Sequence, residues 1–101
     1  MVIVVFRSRL HAGVDESELI AVGTRMYELA SSMPGFVSYN EYAAASGENV
    51  SVVEFESHET LAAWRTHPEH VEVQRLARER FFSSYRISVC DVVRDYSFPN
   101  A

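Results

Sequence analysis

A chain of 101 residues with 48% hydrophobic and 23% charged residues has the make-up of one globular domain, residues 1–101. Its core is modest, and pairing with a second subunit would help to bury it. The formal net charge of −5 and pI near 5.3 argue against nucleic acid or an anionic membrane as the main partner, since both demand a basic face.

Cys90 is the single cysteine, so an intrachain disulfide and a cysteine zinc site are excluded and a reducing cytoplasm is the expected location. The apolar run that opens the chain is too short for a signal peptide. No apolar run approaches the ~20 residues of a membrane span.

Residues 2–10 are β-branched and read as a strand, with Val2, Val4, Phe6, Ser8 and Leu10 on one side and Ile3, Val5, Arg7 and Arg9 on the other. Asp15 with Glu18 three residues on is an N-cap signal. Behind it, Leu19, Val22, Met26, Leu29 and Met33 form one apolar stripe on a helix running to about Ser32. Pro34-Gly35 stops that helix.

A hairpin follows, with strands over 36–45 and 50–56 about a turn at Ser46-Gly47-Glu48-Asn49. Alternation across the first of these strands places Asn40 with Tyr42, Ser38 and Phe36, and Tyr39 on the other side. Ser57 caps a short helix over 59–65. Thr66 with Glu69 repeats the capping pattern, and Pro68 suits a first helical turn. The third helix is expected to run to about Ser83, with Val73, Ala77 and Phe81 on one ridge, before a long last strand over 86–98.

The order β-α-β-β-α(α)-β is the ferredoxin-like split βαβ pattern, an α+β fold with helices on one face of a four-stranded antiparallel sheet. Helices cover one face only, yet Ile3 and Val5, Val37 and Tyr39, and Ile87 and Val89 put apolar residues on the opposite parity too. A closed homodimer would bury such a face at roughly 25 cal/mol per Å2, and the end of the last strand, residues 94–98, is placed to reach the partner.

The chemistry concentrates at Trp64-Arg65-Thr66-His67-Pro68-Glu69-His70, where a helical elbow crowds the only tryptophan against two of four histidines. Each residue has a plain reading beside its functional one. Trp64 is either a core anchor or the wall of a pocket. His67 is a helix cap or a base, and His70 a hydrogen-bonded helix histidine or a base. Two histidines without a nearby acid make a poor zinc site, so no metal is expected. His11 and His58 fall in turn or cap positions and read as solvated. Arg75, Arg80, Glu72 and Glu79 read as a solvated helix face with i,i+4 pairing. Arg78, eight residues after His70, falls on a similar face of the helix. Cys90, mid-strand, reads as a small buried hydrophobe.

Met33-Pro34-Gly35-Phe36, the hairpin, Glu54-Phe55-Glu56-Ser57 and the elbow with Trp64 and His67-Pro68-Glu69-His70, in that order, resemble the antibiotic biosynthesis monooxygenase family. The resemblance covers about residues 2–98. It implies homodimers in which two sheets form a dimeric α+β barrel, with a cavity in each subunit between helices and sheet. Known members include cofactor-independent oxygenases of aromatic polyketides and quinols, and relatives that bind and degrade haem. Trp64 matches the helix tryptophan that lines the cavity in several oxygenases. Ser8 falls near the asparagine of the haem-degrading branch. That branch's haem-ligating histidine would fall near Gln74, and the departure counts against haem.

The resulting expectation is a monooxygenase of a small aromatic substrate and O2 that needs no cofactor. His70 or His67 would handle the proton, with Trp64 beside them. Phe6, Ser8, Asn40, Gln74, Arg78, Phe81 and Tyr85 are expected to contact substrate, with Phe82 adding wall and Arg9 an alternative cation for the substrate anion. Haem degradation and a non-catalytic ligand-binding or accessory dimer are the alternatives.

Overall fold

The structure, a computed structural model, describes residues 1–99. The elements run β1 Val2–Leu10, α1 Glu16–Ser32, β2 Phe36–Ala43, β3 Asn49–Phe55, α2 His58–Arg65, α3 Pro68–Arg80 and β4 Phe82–Asp91. The strands form one antiparallel sheet in the order β2-β3-β1-β4. This is the ferredoxin-like split βαβ expected from the sequence.

Register sets which side chains meet the helices. Val4 lies between Val53 and Val89, and Phe6 between Ser51 and Ile87. Val2, Val4, Val53 and Phe55 are buried on that side, against Met26, Leu29 and Ala30 of α1 and Leu61 and Trp64 of α2. Ile87 and Val89 therefore share the helix side with Val4 and Phe6, whereas Ile3 and Val5 occupy the other face. Tyr39, paired with Val53, is also on the helix side.

Asp15 caps α1, its Oδ1 accepting from Glu18 N–H at 3.1 Å. Gly35 ends the α1 turn at φ +80°, a region that L side chains avoid. A Cβ there would sit 2.5 Å from the Thr60 side chain, which itself closes the α2 capping box with Ser57. Gly35→Ala is thus expected to cost about 1–3 kcal/mol through strain and a disturbed cap. Chemical denaturation measures it, and a variant as stable as the parent would contradict the account.

Several local expectations are corrected. The last strand spans 82–91, not 86–98, because its ladder partner β1 extends only from Leu10, opposite Phe82, to Val2, opposite Asp91. The third helix consequently ends at Arg80. Thr66 does not cap it: its hydroxyl and N–H both bond back to Ala62 O and close α2. His67 is the N-cap instead, its Nδ1 accepting from Glu69 N–H at 3.1 Å. Finally, the register slips between Phe36 and Ser38, so Phe36 faces the helices while Ser38 and Asn40 face away.

Cys90 pairs with Ile3 on the helix-free face and is exposed, not buried. His11 is exposed, as is His58, which meets Asp91 at 2.5 Å. Arg75 pairs with Glu72 and Glu79 along the exposed helix face. No helix among the described residues is long and apolar enough to cross a membrane.

Candidate active site

A cavity of about 1260 Å3 opens between the helices and the sheet. Its floor comes from β1, β2 and β3 and its walls from α1, the elbow and α3, with β4 along one side. The floor carries a polar group of Ser8, Asn49, Ser51 and Tyr39. Most of the remaining surface is apolar, which suits a planar organic ligand held by a few directed contacts.

The elbow exists because Pro68 cannot continue α2 and instead starts α3 at its first position, where a missing N–H costs little. That break brings His70 back over Trp64, with ring centroids 4.4 Å apart and planes tilted by 59°. Trp64 stacks on Phe55 at 5.5 Å and meets the edge of Tyr39 at 6.4 Å.

Trp64 Nε1 and His70 Nδ1 are both buried, and neither has a hydrogen-bond partner among the described residues. Native interiors rarely tolerate this, since an unpaired buried polar group costs about 1–3 kcal/mol. Two of them side by side need partners from outside the fold, which a bound molecule or an ordered water can supply.

Electrostatics give each group a fixed state. Burial pushes the His70 imidazole below its ordinary range, with the nearby Arg65 backbone opposing the effect and the charges of His67 and Arg65 adding to it. Neutral His70 is therefore the form present at neutral pH. Burial, with Glu41 nearby, pushes the Tyr39 phenol up to about 12, against a hydrogen bond with Ser51. Tyr39 thus stays protonated and can donate.

Of the residues singled out in the sequence, Trp64, His70, Phe6, Ser8, Gln74, Phe81, Phe82 and Tyr85 line this one cavity. Four others do not. His67 is occupied as the α3 cap, the plain reading of that residue. Asn40 lies on the far face because of the slip at Val37. Arg9 donates to Ser46 O at 3.0 Å, away from the cavity. Arg78 is exposed and reaches the cavity only through its 3.3 Å hydrogen bond to the Tyr85 hydroxyl.

Tyr39, Ser51 and Gly23 also line the cavity and were not singled out by sequence. Ser51 was accessible from the alternation that buries Val53 and Phe55. Tyr39 needed the bulge, which leaves no mark in residue types.

The sheet order and the open cavity define a class of small α+β proteins with a cleft between helices and sheet. Comparison narrows the class: the family profile for antibiotic biosynthesis monooxygenases matches residues 1–76, and the chain belongs to that family. The Bacillus subtilis protein YqjZ, whose function is uncharacterized, is 31% identical over 74 residues, or 73% of this chain; the match spans 65% of the YqjZ length.

Among solved structures, Rv0793 from Mycobacterium tuberculosis superposes with a TM-score of 0.82 at 23% identity, covering 95% of this chain and 98% of that one. SnoaB, a cofactor-independent oxygenase from Streptomyces nogalater, gives 0.78 at 16% identity, covering 98% and 97%. At these identities both establish a shared fold.

Proposed function

We propose that the chain is a monooxygenase that oxidises a phenolic, quinol or polyketide-like aromatic with O2 and no cofactor. The observation that carries this reading is the unpartnered pair of Trp64 Nε1 and His70 Nδ1 inside a largely apolar cavity. The oxygenase activity of SnoaB, a protein of the same fold, supports it. Neutral His70 accepts the proton of an acidic C–H or O–H, and the indole N–H steadies the oxygen that gains charge. Phe6, Phe82 and Tyr85, mutually packed at ring separations of 5.3 to 6.0 Å, offer a stacking wall and keep water from the anion.

The electrons come from the substrate. An activated ring CH2 becomes C=O, one oxygen atom stays in the product, and the other leaves as water; no external reductant is needed. The test is oxygen uptake with anthrone and 1,4-naphthoquinol, corrected for uncatalysed oxidation. Acceleration that depends on His70 supports the reading, and none in the wild type would sink it. Binding without oxygen uptake would instead identify an accessory ligand-binding protein.

The residues do not fit haem well. Gln74 offers a neutral amide where the haem-degrading relatives would place a histidine, and amides are not among the usual axial ligands. A haemin titration should accordingly give no stoichiometric Soret band.

We also propose that two chains pack through the helix-free face, where Ile3, Val5 and Val52 are only half-buried in one chain. Sedimentation at micromolar concentration should show a dimer, and a monomer there would contradict this.

A further inference from the structure

Gly23 sits in the middle of α1, seven residues from the helix start and nine from its end. Glycine is a poor choice for a helix interior, because it loses the most backbone freedom on folding. The usual excuse is close packing, and it does not apply: a Cβ at Gly23 would meet nothing within 4 Å. Its φ is not positive either. The residue nevertheless lines the cavity.

Its surroundings have the character of a mouth. Ile20 and Tyr27 stand three residues before and four after Gly23, hence on the same face of the helix. Both line the cavity and yet are 67% and 48% exposed, so they form its rim. On another face of α1, five residues before Gly23 and two after it, ion pairs tie the helix to α3. Glu18 binds Arg80 through both carboxylate oxygens at 2.8 and 3.0 Å, and Arg25 binds Glu69 at 2.5 and 2.8 Å. α1 is thus fixed to α3 along one face, and the face that carries Gly23, Ile20 and Tyr27 is left to border the cavity.

We propose that Gly23 is a specificity-determining residue: the notch it leaves in α1, beside the apolar lips of Ile20 and Tyr27, admits the aromatic ligand and sets the largest ring system that enters. This rests on the reading of the cavity as an aromatic-ligand site. A Cβ at position 23 meets no neighbour, so a side chain there has room to narrow the notch, and bulky ligands are lost before small ones.

Trp64, the only tryptophan, reports occupancy by fluorescence quenching. The probes are 1,8-dihydroxyanthraquinone, with three fused rings, and 1-naphthol, with two. They are titrated and mixed by stopped flow with the wild type, Gly23→Ala and Gly23→Leu. For Gly23→Leu, association of the three-ring probe should slow, and its Kd weaken, by about tenfold or more, with 1-naphthol changed less than about threefold. Gly23→Ala should raise Tm by roughly 2–8 °C, which shows that the native glycine is not there for stability.

Wild-type kinetics for both probes in Gly23→Leu would overturn the proposal. Failure of both probes to quench Trp64 in the wild type would overturn the aromatic-ligand reading, and the proposal with it. Gly23→Leu losing both probes equally while Gly23→Ala loses neither would point to general obstruction, and would overturn the claim of size selection.

Discussion

Replacing Trp64 by alanine is expected to remove about 3–5 kcal/mol of folding stability. A domain of this size has roughly 5–15 kcal/mol in total, so the variant should stand near the limit of folding. The indole is 7% exposed and packs at once on Phe55, Tyr39 and His70, elements of β3, β2 and α3. No neighbour is placed to collapse into the gap, because the cavity lies on its open side. Urea denaturation measures the loss, and a cost below about 1 kcal/mol would mean that the elbow does not depend on its anchor.

Trp64→Phe separates packing from recognition. One aromatic ring remains, and the unpartnered N–H goes with the other. The stability lost should be smaller than for alanine, about 1–3 kcal/mol. A ligand that accepts the indole hydrogen bond should bind about two- to tenfold more weakly, the worth of one such bond. Unchanged binding would show that Nε1 is not the donor. The core-anchor and pocket-wall readings of this residue are therefore compatible, and the pair of variants measures each part.

Replacing His70 by glutamine should lower turnover by about 10²–10⁴-fold with little change in KM, since glutamine retains hydrogen-bonding capacity and cannot take a proton. In the wild type the rate should fall on the acid side, through a pKa below the ordinary imidazole value of about 6.5. Stability follows the same group. Burial depresses the folded-state pKa of His70, so the unfolded chain binds the proton more readily. Its contribution is complete above about pH 6.5, the unfolded value, and is lost as pH falls through the lower folded value. His70→Gln should remove that slope from the stability profile. Full turnover in the variant, with an unchanged acid limb, would assign the base elsewhere.

Much of the cavity was legible because its residues obey local rules. Trp64 and His70 are drawn together by a proline whose effect on a helix is the same in any protein. Phe6 and Ser8 follow from alternation along β1, and Phe81 from the helical ridge with Val73 and Ala77. Residues misplaced from sequence are those whose setting depends on a second element. Asn40 changed sides because one extra residue at Val37 shifts every later side chain of β2 to the other face. Arg78 and His67 found partners, the Tyr85 hydroxyl and the Glu69 amide, that no periodicity announces.

The sequence by itself determined the order of strands and helices, the stops at Gly35 and Pro68, and the chemical character of the elbow. These are set by backbone sterics and by apolar periods of two and 3.6, which act over a few residues. Tertiary structure alone decided where β4 ends, since a strand lasts only as long as its ladder partner. It also decided that Tyr39 rather than Asn40 faces the cavity and that Trp64 Nε1 and His70 Nδ1 are left without partners. The absence of a side chain at Gly23 became a gap in a wall only once α1 was packed along the cavity.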